Sequence, residues 1–148
     1  MKRFSATANI IASPDTIWEI ITDAKHYPDW DPGIVRIEGT IARGEKIKAI
    51  SKLNPKKAFP VTVTDFDPGY RMTWTGGMVF NLFKGERTFS LTENGPGSTD
   101  FTISEEFSGP LLPLFEKNIP DMNKPFREFV DGLKEWAEGG HRRKKSRR

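Results

Sequence analysis

An arginine and a glutamate are the residues of this 148-residue sequence whose spacing points most clearly to chemistry. Asn94 to Ser98 has the composition of a hairpin loop, which sets Glu93 opposite Thr99. In that register Arg87 lies directly opposite Glu105. The same face then carries four large apolar side chains, Phe89, Leu91, Phe101 and Ile103. We therefore expect an Arg–Glu ion pair on the inner, apolar side of a sheet.

A charged pair in an apolar wall has three interpretations. In the first, the guanidinium of Arg87 orients the carboxylate, phenol or carbonyl oxygen of a ligand. An enzyme could also use Arg87 to polarise a carbonyl while Glu105 moves a proton. In the second, the pair is purely structural, because a buried charge is costly without a partner. In the third, a bulge at Gly85 or at Gly95–Gly97 shifts the register and turns both side chains outward.

His26 and Tyr27 are weaker catalytic candidates in the segment that follows the first predicted helix. His26 could shuttle a proton, but an exposed loop histidine is favoured because no Ser, Cys or acidic partner is evident beside it. We expect Tyr27 and Trp30 to clamp the short helices against the sheet.

Composition excludes several other chemistries. The chain has no Cys and two His, and one of the histidines lies in the terminal basic run, so we expect no metal site. The sequence contains no phosphate-binding glycine loop of the P-loop or dinucleotide type, and no nucleophile–base–orienter set is visible. We therefore expect no cofactor.

The net charge of +3 hides an uneven distribution. Residues 141–148 carry six of the 23 basic residues and no acid, so the remainder holds 17 basic against 20 acidic residues. We predict one domain over residues 1–140 and a disordered basic tail over 141–148 that makes at most weak contact with anionic surfaces. We expect no specific nucleic-acid binding, a cytoplasmic location because no signal or membrane-spanning run is present, and either a monomer or a homodimer.

The rest of the chain predicts an α+β fold. A first strand at 3–12 ends at Ser13-Pro14-Asp15, a typical helix start, and two short helices follow. Six strands are then predicted at Ile34–Glu38, Lys46–Lys52, Ala58–Phe66, Arg71–Thr75, Lys84–Glu93 and Thr99–Phe107. A curved antiparallel sheet of six or seven strands would wrap around a long C-terminal helix.

That last helix is predicted from Pro110 to Glu138. Its apolar residues recur about every 3.6 positions, at Leu111, Phe115, Ile119, Met122, Phe126, Phe129, Leu133 and Trp136. Pro120 and Pro125 each remove a helix hydrogen bond, so we expect a kink or break between about Asn118 and Lys124, with Asp121 as a new N-cap.

Five short motifs in the chain are similar to those of a known family. They are Ala12-Ser13-Pro14 to Trp18, Thr22-Asp23 with Tyr27-Pro28-Asp29-Trp30, Asp67-Pro68-Gly69 before Met72 and Trp74, Gly85-Glu86-Arg87-Thr88-Phe89 with Leu91, and Glu105-Glu106-Phe107-Ser108-Gly109. With the order of elements, they resemble the SRPBCC/START superfamily of helix-grip proteins, in its polyketide cyclase/dehydrase-like subgroup. The resemblance covers about residues 3–138. It implies a deep, mostly apolar cavity between the sheet and the last helix.

The resemblance suggests which residues line that cavity. The expected ligand-binding residues are Arg87, Glu105, Trp74, Met72, Phe89, Leu91, Phe101, Ile103, Phe115, Ile119, Met122 and Phe126. We favour binding or transport of a small hydrophobic ligand, lipid-like or aromatic, because binding needs fewer placed groups than catalysis. The alternatives are a polyketide cyclase/aromatase- or dehydratase-like enzyme and an accessory or regulatory subunit. For the unusually apolar segment 76–83 we retain three roles, a pocket edge, a ligand gate and a dimer contact.

Overall fold

The computed structural model describes residues 2–140, so the predicted disorder of 141–148 lies outside the described residues. Seven antiparallel strands form one sheet in the order β1-β7-β6-β5-β4-β3-β2. The strands are β1 Lys2–Ile10, β2 Ile34–Glu38, β3 Lys46–Ser51, β4 Ala58–Asp67, β5 Arg71–Gly77, β6 Lys84–Glu93 and β7 Thr99–Ser108. The helices are α1 Pro14–Ile21, α2 Tyr27–Trp30, α3 Leu112–Phe115 and α4 Asn123–Glu135. The predicted helix-grip architecture is confirmed.

The turn into α1 forms as its residues predict. Pro14 occupies the first turn and the Thr16 amide donates to Ser13 Oγ at 3.2 Å. Strand β1, however, ends at Ile10 rather than at residue 12. Ile10 pairs with Thr99, the first residue of β7, so the chain beyond it has no neighbouring strand and turns instead.

The C-terminal segment breaks where its prolines predict. Helix α3 is followed by a 3₁₀ turn at Glu116–Asn118, and Ile119 is extended, with ψ 118°. Pro120 excludes helical backbone at the residue before it, which explains the break there. The predicted N-cap is wrong by one residue, because Met122 precedes the first residue of α4; Asp121 Oδ1 nevertheless accepts the Asn123 amide at 2.9 Å. Pro125 falls in the first turn of α4, where no hydrogen bond is lost.

Helix α4 is fixed over the sheet by a close backbone contact and by long side chains. A Cβ at Gly132 would lie 1.9 Å from the Trp30 carbonyl oxygen. The helix therefore approaches α2 so closely that only glycine fits at this position. Lys134 Nζ donates to the Asn9 carbonyl at 2.8 Å, and Glu138 accepts the Ile11 amide at 2.8 Å. These contacts cover the free edge of β1 and hold the helix in one place.

Aromatic rings fill the interior beneath α4. Phe129 lies 4.9 Å from Trp30 and 6.0 Å from Phe101, centroid to centroid, while Trp74 lies 4.7 Å from Phe89. All of these residues are buried. Over this region the interior is a packed core. None of the helices between residues 2 and 140 combines the length and hydrophobicity that a bilayer-spanning helix requires.

Candidate functional site

The hairpin of β6 and β7 has the predicted register. Arg87 pairs with Glu105, Phe89 with Ile103 and Leu91 with Phe101. Phe89, Leu91, Phe101 and Ile103 are all buried, so this face is the inner one. The register runs unbroken through Gly85, and the alternative in which a bulge turned the charges outward is therefore wrong.

The ion pair forms. Arg87 Nε lies 2.6 Å from Glu105 Oε1, and the two side chains are 26% and 13% exposed. The guanidinium carbon lies 5.1 Å from the centroid of the Phe126 ring, within cation–π range. On the other side, Trp74 is the direct cross-strand neighbour of Arg87. Glu105, Arg87 and Trp74 thus form one row across the inner face.

On the side of this row away from the aromatic core, the inner face of the sheet carries partly exposed residues. In the next row, Phe107, Gly85 and Gly76 are cross-strand neighbours, so two strands present no side chain there. Phe107 is half-buried, and its ring lies 3.2 Å from the position of a Cβ on Gly85. In the segment that precedes α4, Phe115, Ile119 and Met122 are also half-buried, and Ile119 and Met122 pack against the core. We call this region, bounded by Arg87, Glu105, Phe107, Ile119 and Met122, the open end of the interior.

The twelve predicted ligand-binding residues therefore fall into two groups. Seven lie in the packed core: Met72, Trp74, Phe89, Leu91, Phe101, Ile103 and Phe126. Five are partly exposed: Arg87, Glu105, Phe115, Ile119 and Met122. A ligand could touch the second group directly and would reach most of the first only if rings moved. The deep cavity implied by the family resemblance is occupied by rings over the first group, and the ligand contacts remain a prediction.

His26 and Tyr27 lie apart from the ion pair. The expectation that His26 lacks an acidic partner is wrong, because its Nδ1 lies 2.6 Å from Asp23 Oδ2, both side chains being about half exposed. A 3₁₀ turn brings these residues, three apart, to the same side. The Tyr27 hydroxyl donates to the Ile21 carbonyl at 2.5 Å, and burial raises its pKa well above the ordinary value. Its ring lies 4.6 Å from that of Trp30, as the predicted clamp requires.

Asp31 is a functional candidate that the sequence patterns above do not indicate. The residue is 8% exposed and its Oδ1 accepts the Gly33 amide at 3.0 Å. Burial raises the pKa of this carboxyl to about 6, although the Gly33 hydrogen bond and the charge of Arg87 oppose the shift. An Asp two residues before Gly is typical of an Asx turn, which could have located it. Residues 2–140 contain no cluster of His, Asp or Glu suited to a metal ion.

A comparison with protein families shows to which family the chain belongs. A family described as "Polyketide cyclase / dehydrase and lipid transport" matches residues 1–138. The chain belongs to this family. Its fold is accordingly one that binds hydrophobic ligands, whereas the ligand is not specified by the match. No curated protein matches the sequence.

Solved structures of this cyclase and lipid-transport fold are similar along nearly the whole chain. A START superfamily protein from Mycobacterium smegmatis is 20% identical, with 92% of this chain and 97% of that chain covered and a TM-score of 0.67. A truncated norcoclaurine synthase from Thalictrum flavum is 19% identical, with coverages of 91% and 92% and a TM-score of 0.65. The di-domain ARO/CYC StfQ from the steffimycin biosynthetic pathway is 16% identical over 95% of this chain and 46% of that one, with a TM-score of 0.67. At these identities the likeness shows the fold alone.

Two buried indoles in this family member have unsatisfied donors. Among the described residues, Trp30 Nε1 and Trp74 Nε1 are buried without a hydrogen-bond acceptor. The Trp30 ring meets Phe129 edge-on, at 75°, so aromatic faces are its main surroundings. Leaving an amide-like donor unpaired costs about 1–3 kcal/mol.

Proposed function

We propose that the protein binds a small hydrophobic ligand at the open end of the interior and that Arg87 holds a polar oxygen of that ligand. The observation that carries the proposal is a half-buried Arg–Glu pair bordered by partly exposed apolar side chains. The apolar surface would take the ligand body and the ion pair would fix its orientation.

The chemistry of the pair suits an oxygen-bearing ligand. Arg87 uses Nε for Glu105, and a guanidinium has five N–H donors in all. Its remaining donors can reach a carbonyl, phenol or carboxylate oxygen without breaking the pair. Because Glu105 balances the charge, the open end stays neutral overall, which favours a mainly apolar ligand with one polar group.

Binding is favoured over catalysis because each catalytic candidate already has a protein partner. Arg87 contacts Glu105, the Tyr27 hydroxyl is bonded to a backbone carbonyl, and His26 contacts Asp23. A cyclase-like enzyme would need at least one of these groups to exchange its partner during the reaction.

Native mass spectrometry of the freshly purified full chain tests the proposal first, since a carrier should retain a hydrophobic molecule. Tryptophan fluorescence titrations with a long-chain fatty acid and with a polycyclic phenol then measure affinity. Arg87→Leu should weaken binding by about 10-fold or more, the value of a charge-assisted hydrogen bond.

A matched surface pair provides the control. Arg36 Nε lies 2.7 Å from Glu38 Oε2 on β2, both side chains being exposed, so Arg36→Leu removes a similar contact elsewhere in the same sheet. It should leave the affinity unchanged. Arg87→Lys serves as a second variant that keeps the charge but loses the planar donor fork. Unchanged affinity in both Arg87 variants, measured at a temperature at which circular dichroism shows each variant to be folded, would refute the proposed site.

A further inference from the structure

A cleft of about 300 Å³ lies at a second place, away from the Arg87–Glu105 pair. Its lining includes Lys46, Thr62, Thr75, Met78, Asn81 and Lys84. Thr62 pairs with Lys46 on one side and with Thr75 on the other. Trp74 and Val63 point into the core, so the neighbouring Thr75 and Thr62 point to the outer face. The cleft therefore opens mainly on the convex side of the sheet.

The charge of the cleft is positive. Two lysines line it and no carboxylate does. Lys84 Nζ lies 3.4 Å from Glu86 Oε1 at its border, whereas Lys46 has no acidic partner among residues 2–140. Two ammonium groups that share one cleft repel each other unless an anion lies between them. The threonine hydroxyls and the Asn81 amide add neutral hydrogen-bond donors.

A strained, apolar loop borders the same cleft. Phe80 and Asn81 have φ values of 58° and 56°. This left-handed conformation costs about 1–2 kcal/mol for a residue such as phenylalanine and less for asparagine. The loop is nevertheless fixed, because the Met78 amide donates to the Phe83 carbonyl at 2.8 Å and the Leu111 amide to the Leu82 carbonyl at 2.9 Å. Phe80 is 91% exposed as a result. Backbone strain of this kind concentrates at ligand clamps.

We infer that the cleft binds the phosphate group of an amphiphilic phosphate ester, whose apolar part lies along Met78, Val79 and Phe80. Lysine binds phosphate as a point charge, and three phosphate oxygens can use the two ammonium groups together with a hydroxyl and an amide. A volume near 300 Å³ exceeds that of a single phosphate and lies at the lower end of small-molecule sites. The ester could be a lipid headgroup or a soluble metabolite. Gly76 borders both this cleft and the open end of the interior. The lysines that carry this inference are not part of the Arg87–Glu105 pair, so either proposal can fail alone.

Binding of the full chain to two probes tests the inference. The first is phosphatidylcholine vesicles with and without phosphatidic acid, and the second is a soluble alkyl phosphate. The double variant Lys46→Gln/Lys84→Gln should weaken binding by about 10-fold or more. The control Lys56→Gln/Lys124→Gln removes the same charge from two exposed lysines outside the cleft and should change binding by less than about 2-fold.

Each result supports or overturns the site. A selective loss with both probes means that the cleft takes the phosphate group from either source, and loss with vesicles alone assigns a lipid headgroup. Loss with the alkyl phosphate alone assigns a soluble ester. Phe80→Ser should weaken binding of the probe that the cleft takes, because it removes apolar contact. Equal losses of binding in the two double variants would mean that only the overall positive charge matters, and this would overturn the inference. The absence of binding of either probe by the wild type would also overturn it.

Discussion

Replacing Gly132 with alanine should destabilise the protein although it favours helix formation. Alanine in a helix interior is about 1 kcal/mol more favourable than glycine. Here the new Cβ would lie 1.9 Å from the Trp30 carbonyl oxygen, whereas contacts under 3.0 Å are essentially never seen. Helix or turn must therefore separate by about 1 Å, and the group in the way is backbone, which cannot rotate aside. Overpacking of this kind costs about 1–3 kcal/mol, occasionally more.

We expect a net loss of about 1–3 kcal/mol in the free energy of unfolding, measured by urea unfolding followed by circular dichroism. For a chain of this size each kcal/mol lowers the Tm by roughly 2–4 °C. Asp131→Ala, at an exposed position one residue earlier in the same helix, is the control and should stay within about 0.5 kcal/mol of wild type. If Gly132→Ala proved as stable as wild type or more stable, the close docking of α4 on the α2 turn would be wrong.

Three further sets of substitutions test the ion pair, the buried carboxylate and the first helix cap. Arg87→Leu leaves Glu105 without its partner and should lower the free energy of unfolding in urea by about 1–3 kcal/mol. The double variant Arg87→Leu/Glu105→Leu should recover most of this loss, and an equal loss in the single and double variants would contradict this account. Asp31 has a folded pKa of about 6, above its unfolded value. The protonated carboxyl therefore stabilises the fold fully below about pH 4, and roughly 2–3 kcal/mol of the free energy of unfolding is lost as the pH rises through 6. Asp31→Asn should abolish this pH dependence of stability, measured by urea unfolding below about pH 4 and above about pH 6. An unchanged pH dependence in the variant would mean that other groups cause it. Ser13→Ala should cost about 1 kcal/mol, more than Ser5→Ala on the exposed face of β1, as measured by thermal unfolding.

Features set by neighbouring residues could be predicted from the sequence. The Asn94–Ser98 loop and the alternation on either side determined the register, so the contact between Arg87 and Glu105 followed from local rules. The break near Pro120 was predictable for the same reason, because proline acts on its own hydrogen bond and on the preceding residue.

Features set by distant residues could not be predicted in this way. The filling of the interior depends on rings from α2, β6 and β7 that meet Phe129 of α4. Periodicity shows only that each ring faces inward. The burial of Asp31 likewise depends on the elements that cover it. The sequence rules could place the apolar residues on the inner side, but they could not tell a lined cavity from a packed core.

The position of the open end follows from two local interruptions, one in the C-terminal helical segment and one in the sheet. Pro120 ends the regular helix, so Ile119 and Met122 lie in a segment that is only half-buried. In the sheet, Gly85 and Gly76 are cross-strand neighbours in adjacent strands and contribute no side chains to their row. A continuous helix over a row of large residues would have closed this end as tightly as Phe129 closes the core. Arg87 and Glu105 lie at the border between the two regions, where a charge can stay partly hydrated and still contact an apolar ligand.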